Sequence, residues 1–193
     1  MIASQNPGKI EEFRALLAGL RIELVDPIML GLDLQVMEDK ASYIANARKK
    51  ANAFAEQTGF LTLADDSGLE VDVLDGAPGV YSARLAGKGK TDADRRSLLL
   101  EMLRPHPLPW RAHFRCALVL QGPDGFVGSG MGECEGEIIL HERGSAGFGY
   151  DPIFLVKTTQ KTMAELSMQE KNRLSHRARA LQVLLPRLKQ LLG

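Results

Sequence analysis

The spacing of apolar residues changes along the chain, and the changes divide it. Ile10, Phe13, Leu16, Leu17 and Leu20 share one helical face, as do Ile44, Ala47, Ala51 and Phe54 within a helix expected over residues 42–57. Strand-like runs surround these helices: a stub at residues 1–4, then 21–25 and 60–64, with a loop broken by Gly31 at 27–36. The stub is short enough to leave room for native residues before Met1. Residues 69–74 alternate Leu69, Val71 and Val73 with Glu70 and Asp72, and Thr91-Asp92-Ala93-Asp94 opens a helix through Leu103 in capping-box fashion. Pro105, Pro107 and Pro109 then break the chain, which places an expected hinge or lobe edge at 104–110. From Arg111 the period becomes two, with Ala112, Phe114, Cys116, Leu118 and Leu120 on one strand face. Gly122-Pro123-Asp124-Gly125 turns that strand into another at 126–131, continued to Ile139 by glycine-spaced strand with bulges. A short helix is expected at 162–170. A last helix buries Leu181, Leu184, Leu185, Leu188 and Leu192, with a kink or its last regular turn at Pro186.

A βα-patterned first third followed by an antiparallel meander predicts a mixed α/β fold. Its sheet should be twisted and partly antiparallel, with flanking helices, in one domain over 1–193. Composition narrows the function. The 24 Lys and Arg balance 24 Asp and Glu, so no overall basic field favours nucleic acid or a membrane surface. Cys116 and Cys134 lack metal-ligand spacing and read as reduced, buried residues. No apolar run approaches a membrane span and no signal-peptide core opens the chain, so a cytoplasmic setting is expected.

The chemistry gathers around Leu61-Thr62-Leu63-Ala64-Asp65-Asp66-Ser67-Gly68, where an apolar run meets two adjacent carboxylates. With the strand ending there, Asp65 and Asp66 point to opposite sides, and Gly68 permits a sharp turn with positive φ. Two such acids repel unless a cation or donor satisfies them. The same residues also compose an ordinary acidic turn. Ser4-Gln5-Asn6-Pro7-Gly8-Lys9 leads into the first helix, with Asn6 as cap and Pro7 at its first position. Alone that reads more readily as a plain capped helix than as an anion site at a helix N-terminus. Lys9 opposes the helix dipole, a penalty that a bound phosphate would relieve. Lys50 follows Asn46 by four residues and shares its face. Gly144 to Pro152, with Phe148 and Tyr150, reads as a mobile glycine-rich loop, either a surface turn or a platform for a flat ring. Lys171, Arg173, His176 and Arg177 cluster before the last helix, as a solvated surface or a site. Together these features describe a nucleotide polyphosphate site. Asp65 and Asp66 with Glu38 would hold a divalent metal, and all-oxygen ligation suits Mg²⁺ over Zn²⁺.

In order, Ser4 to Lys9, Ala64-Asp65-Asp66-Ser67-Gly68-Leu69, Asp75 to Arg84, Gly147 to Phe154, and Lys171-Asn172 through Ser175-His176-Arg177 resemble the inosine triphosphate pyrophosphatase family over nearly the whole chain. The resemblance implies two lobes around a central cleft, a homodimer, Mg²⁺ dependence, and hydrolysis of ITP, dITP or XTP to the monophosphate and pyrophosphate. It implies Asp66 as proton acceptor and metal ligand, Glu38 as a second ligand, and Lys9 and Lys50 on the phosphates. Ser4, Gln5, Asn6, Pro7, Gly8, Lys9, Ser67, Phe148, Gly149, Tyr150, Asp151, Lys171, His176 and Arg177 would line the substrate. A donor such as Arg177 or a backbone N–H would select the 6-keto purines. Two positions depart from the family pattern: Gln5 stands where it usually has glycine, and Ala45 precedes Asn46 where it often has glutamate.

Overall fold

The computed structural model describes residues 1–193. Its elements are α1 (Pro7–Leu17), α2 (Tyr43–Thr58), β1 (Thr62–Val71), α3 (Asp92–Leu103), β2 (Trp110–Gly122), β3 (Gly125–Ile138), β4 (Phe154–Val156), α4 (Met168–Leu174) and α5 (His176–Leu192). The four strands form one sheet in the order β1-β2-β3-β4, with β4 antiparallel to β3. Ile2 adds a single parallel bridge to Leu63. Mixed α/β architecture is therefore as the pattern predicted.

Two compact units share the chain: residues 1–66, 116–132 and 176–193 form the first, and 67–115 and 133–175 the second. The proline-rich stretch lies inside the second, between α3 and β2. The first unit's core joins Ile10, Phe13 and Leu17 of α1 to Leu118 and Leu120 of β2 and to Leu181, Leu184 and Leu188 of α5. A smaller cluster packs Ala47, Ala51 and Phe54 of α2 against Ala64 and Val119. In the second unit, Leu99 and Leu103 of α3 meet Trp110, Phe114, Ile138, Phe154 and Met163.

Several local expectations change. β1 does not stop at the acids but runs through Asp65-Asp66-Ser67-Gly68 to Val71, so Gly68 makes no turn. Residues 21–25 form no strand, although Val25 accepts a bond from the Ile2 amide at 2.8 Å. The helix expected at 162–170 is a short 3₁₀ turn, Met163–Glu165, followed by α4, each opened by its own capping box at Thr162 and Ser167. α5 runs past Pro186 to Leu192, which is exposed.

The glycines of β3 serve close packing rather than bulges. A Cβ on Gly130 would sit 2.3 Å from the Ala180 carbonyl oxygen. One on Gly132 would sit 2.2 Å from that of His176. Only bare backbone lets α5 lie this close to the strand.

Candidate active site

Adjacent positions on a strand face opposite ways, and β1 uses this to give its two acids opposite surroundings. Asp65 is fully buried among cations. The Lys9 ammonium lies 2.8 Å from its Oδ2 and the Arg177 guanidinium 3.3 Å. Arg177, itself 1% exposed, also pairs with Glu12 of α1 and stands over the Phe13 ring. Burial alone would raise the Asp65 pKa, but the charges of Lys9, Arg177 and Lys50 outweigh it and hold the carboxyl well below the usual range.

Asp66 goes the other way. Burial, then the negative charge of Glu38, push its carboxyl up to about 6, against the Asn46 hydrogen bond and the charges of Lys9 and Lys50. Asn46 organises this side. Its Nδ2 donates to Asp66 Oδ2 at 2.9 Å and to the Lys40 carbonyl at 3.2 Å, while its Oδ1 accepts from the Lys40 amide at 2.9 Å. The segment carrying Glu38 is thus tied to α2 one turn before Lys50, whose ammonium pairs with Glu38. The Lys50 pKa is raised: burial lowers it, but Asp65, Glu38 and Asp66 together prevail.

The N-terminal loop folds as its residues dictate. Asn6 Oδ1 caps the Lys9 amide at 3.2 Å, and Ser4 Oγ accepts from the Asn6 amide at 3.2 Å. Pro7 has no N–H, so this helix start offers an anion fewer backbone donors than its position suggests. The dipole penalty on Lys9 is offset by Asp65 rather than by the loop itself. Gln5 is exposed and accepts from Gln35 at 3.3 Å.

Phe148, Gly149, Tyr150 and Asp151 lie on one stretch of the second unit, and Lys171 reaches it from α4. Asp151 Oδ2 accepts from the Lys171 ammonium at 2.7 Å and from the Phe148 amide at 3.1 Å. Lys171 lies 5.5 Å from the centre of the Phe148 ring. A Cβ on Gly147 would meet Asp151 Oδ2 at 2.1 Å, so the loop closes around that carboxylate. His176 is buried at the start of α5, and Ser67 is half-buried in β1. The Arg177 guanidinium is buried against Glu12 and Asp65.

The sequence reading missed Glu12, because a glutamate on an otherwise apolar helix face has no local signal for a partner 165 residues away. A divalent metal can be tested against the donors present. No three His, Cys, Asp or Glu side chains converge as a ready-made cage. Two mutually repelling carboxylates, Asp66 and Glu38, do fit a hard cation of the Mg²⁺ type, which commonly takes one or two carboxylates with phosphates completing the shell. Asp65 Oδ2 is engaged by Lys9 and Arg177.

A sequence profile described as the Ham1 family matches residues 1–187. The chain belongs to the Ham1 family. A relative called dITP/XTP pyrophosphatase, from Desulforamulus reducens, is 46% identical over 182 residues, covering 94% of this chain and 90% of the relative. Another of that name, from Bacillus subtilis, is 43% identical over 185 residues, covering 95% and 93%. The solved structure of a HAM1 protein from Coxiella burnetii matches with a TM-score of 0.86 at 41% identity, covering 98% of this chain and 97% of that one. The Ham1 fold thus extends over essentially the whole chain.

Proposed function

We propose that this chain is a nucleoside triphosphate pyrophosphatase that hydrolyses dITP, XTP and ITP to the nucleoside monophosphate and pyrophosphate. Relatives named dITP/XTP pyrophosphatase support the substrate class. The observation that carries the chemistry is the one-residue alternation on β1, which pairs Asp65 with Lys9 and Arg177 and leaves Asp66 beside Asn46 and the charge of Glu38. Asp66 takes a proton from water, whose oxygen attacks the α-phosphorus. The bond from that phosphorus to the bridging oxygen breaks, and pyrophosphate leaves with the bonding pair. Lys9 and Lys50 stabilise the phosphate charge that develops there. Mg²⁺, held by Asp66 and Glu38, would supply Lewis-acid withdrawal of phosphate charge. The Phe148 loop takes the purine.

We carry over a homodimer and a cytoplasmic setting as parts of the same proposal. No helix is long and apolar enough to cross a membrane. The test is pyrophosphate release with Mg²⁺ across dITP, XTP, ITP, dATP and dGTP, repeated for Asp66→Asn and in a chelator. The first three should turn over much faster than the last two. Asp66→Asn should lose on the order of 10²-fold in turnover. Equal rates on all five nucleotides, or a fully active Asp66→Asn, would overturn the assignment.

A further inference from the structure

Both polar groups of one loop residue, Gly149, are held by charged side chains from one helix. Asp92 at the start of α3 accepts the Gly149 amide at 2.7 Å, and Arg96, one turn on, donates to the Gly149 carbonyl at 2.9 Å. Arg96 also bonds Glu142, through Nε at 2.8 Å and Nη2 at 3.0 Å, so it spans from the approach of the loop to its tip. Gly149 has φ +62, a left-handed conformation that glycine adopts without a side-chain clash. The next residue is anchored as well: the Tyr150 hydroxyl donates to the Ser82 carbonyl at 2.9 Å, and Ser82 Oγ accepts from the Leu69 amide of β1 at 2.8 Å. Here Asp92 and Arg96 hold the two peptide groups that flank the Gly149 Cα from outside the loop, directly after Phe148.

We infer that Asp92 and Arg96 are positioning residues that set the shape of the purine loop, and that they act on base selection without touching substrate. The inference rests on the proposed pyrophosphatase reading, in which the Phe148 loop takes the base. Its physical basis is that discrimination by a binding surface depends on donors and ring faces held within a fraction of an ångström. The phosphate chemistry, assigned to Asp66, Lys9 and Lys50, does not depend on α3.

The test compares Arg96→Ala, Arg96→Lys and Asp92→Asn with the wild type, in steady-state kinetics on dITP and dATP with Mg²⁺. Amide exchange of residues 147–150 is followed in parallel. Arg96→Ala should raise the KM for dITP about tenfold, the effect of losing a charge-assisted hydrogen bond, while kcat stays within about twofold. The dITP-to-dATP ratio of kcat/KM should fall by a similar factor, and amide exchange at Gly149 should quicken. Arg96→Lys should be intermediate, because an ammonium lacks the fork that reaches both Glu142 and Gly149. An equal loss on both nucleotides through kcat, tracking a fall in Tm, would overturn the inference and leave the pair merely structural. If the wild type hydrolyses neither nucleotide, the pyrophosphatase reading fails, and base selection by α3 falls with it. Faster exchange at Gly149 in Arg96→Ala would still show that the clamp holds the loop, so the two failures are distinguishable.

Discussion

Replacing Asp66 by asparagine should cut turnover on the order of 10²-fold and yet strengthen the metal-free fold. A carboxyl moved from its ordinary 3.8 to about 6 is one whose neutral form the folded protein prefers. At ~1.36 kcal/mol per pKa step, holding Asp66 ionised in the fold costs ~3 kcal/mol above both values. The sign follows from proton uptake. Between pH 4 and 6 the folded chain binds more protons at this site than the unfolded one, so stability falls as pH rises through that window. Below pH 4 both states are protonated and the penalty vanishes. Asparagine is a neutral isostere of the protonated acid and keeps an oxygen for the Asn46 donor. Urea unfolding of wild type and Asp66→Asn in a chelator, from pH 4 to 8, isolates the effect, because Asp65 contributes to both proteins alike. The variant should gain on the wild type by roughly 2–3 kcal/mol between pH 4 and pH 8. A stability difference that stays flat across that range would refute the reasoning, since it would mean that Asp66 folds into an environment no worse for its charge than water.

The other perturbations follow from the same packing. Glu38→Gln removes the like charge beside Asp66, so the Asp66 midpoint, read by carboxyl NMR, should drop from about 6; an unchanged midpoint would assign the whole rise to burial. Lys9→Ala leaves Asp65 buried with Arg177 as its remaining direct cation and should cost about 2–3 kcal/mol in urea unfolding near neutrality. Because the Asp65 pKa is depressed, that cost should shrink in strong acid, and a loss independent of pH would contradict the ion pair. Gly132→Ala forces a methyl against the α5 backbone and should cost about 3 kcal/mol or more, seen as a lower Tm, whereas Gly125→Ala meets no neighbouring atom and tests only its φ of +135.

How much of this was legible depends on the distance over which each feature is decided. The α1 start was readable because Asn6, Pro7 and Lys9 settle it within four residues. So was the Thr91 capping box. The split of the 162–174 region was also written locally, in Thr162 with Glu165 and Ser167 with Glu170, and a search for two capping boxes would have found it. β1 was different. Asp65 and Asp66 look like a strand terminator only while their partners are invisible. Lys9, Arg177 and Asn46 come from α1, α5 and α2, and once present they let the strand carry two buried acids through the core. The same distance hid the use of Gly130 and Gly132, because what excludes a side chain there is a helix that begins more than forty residues later.

The placement of those partners explains why two neighbouring acids can do different work. One-residue alternation on β1 turns Asp65 toward the charges of α1 and α5, where Glu12, Lys9 and Arg177 complete a balanced buried network. It turns Asp66 toward Asn46 and the field of Glu38. Swapping the two environments would need only a one-residue slip of the strand, which would carry Leu63 and Ala64 out of their separate cores as well. The hydrophobic register of β1 therefore decides which surroundings each carboxylate meets. A substitution that weakened this register, far from either carboxylate, should change the Asp66 titration before it changes the amount of folded protein.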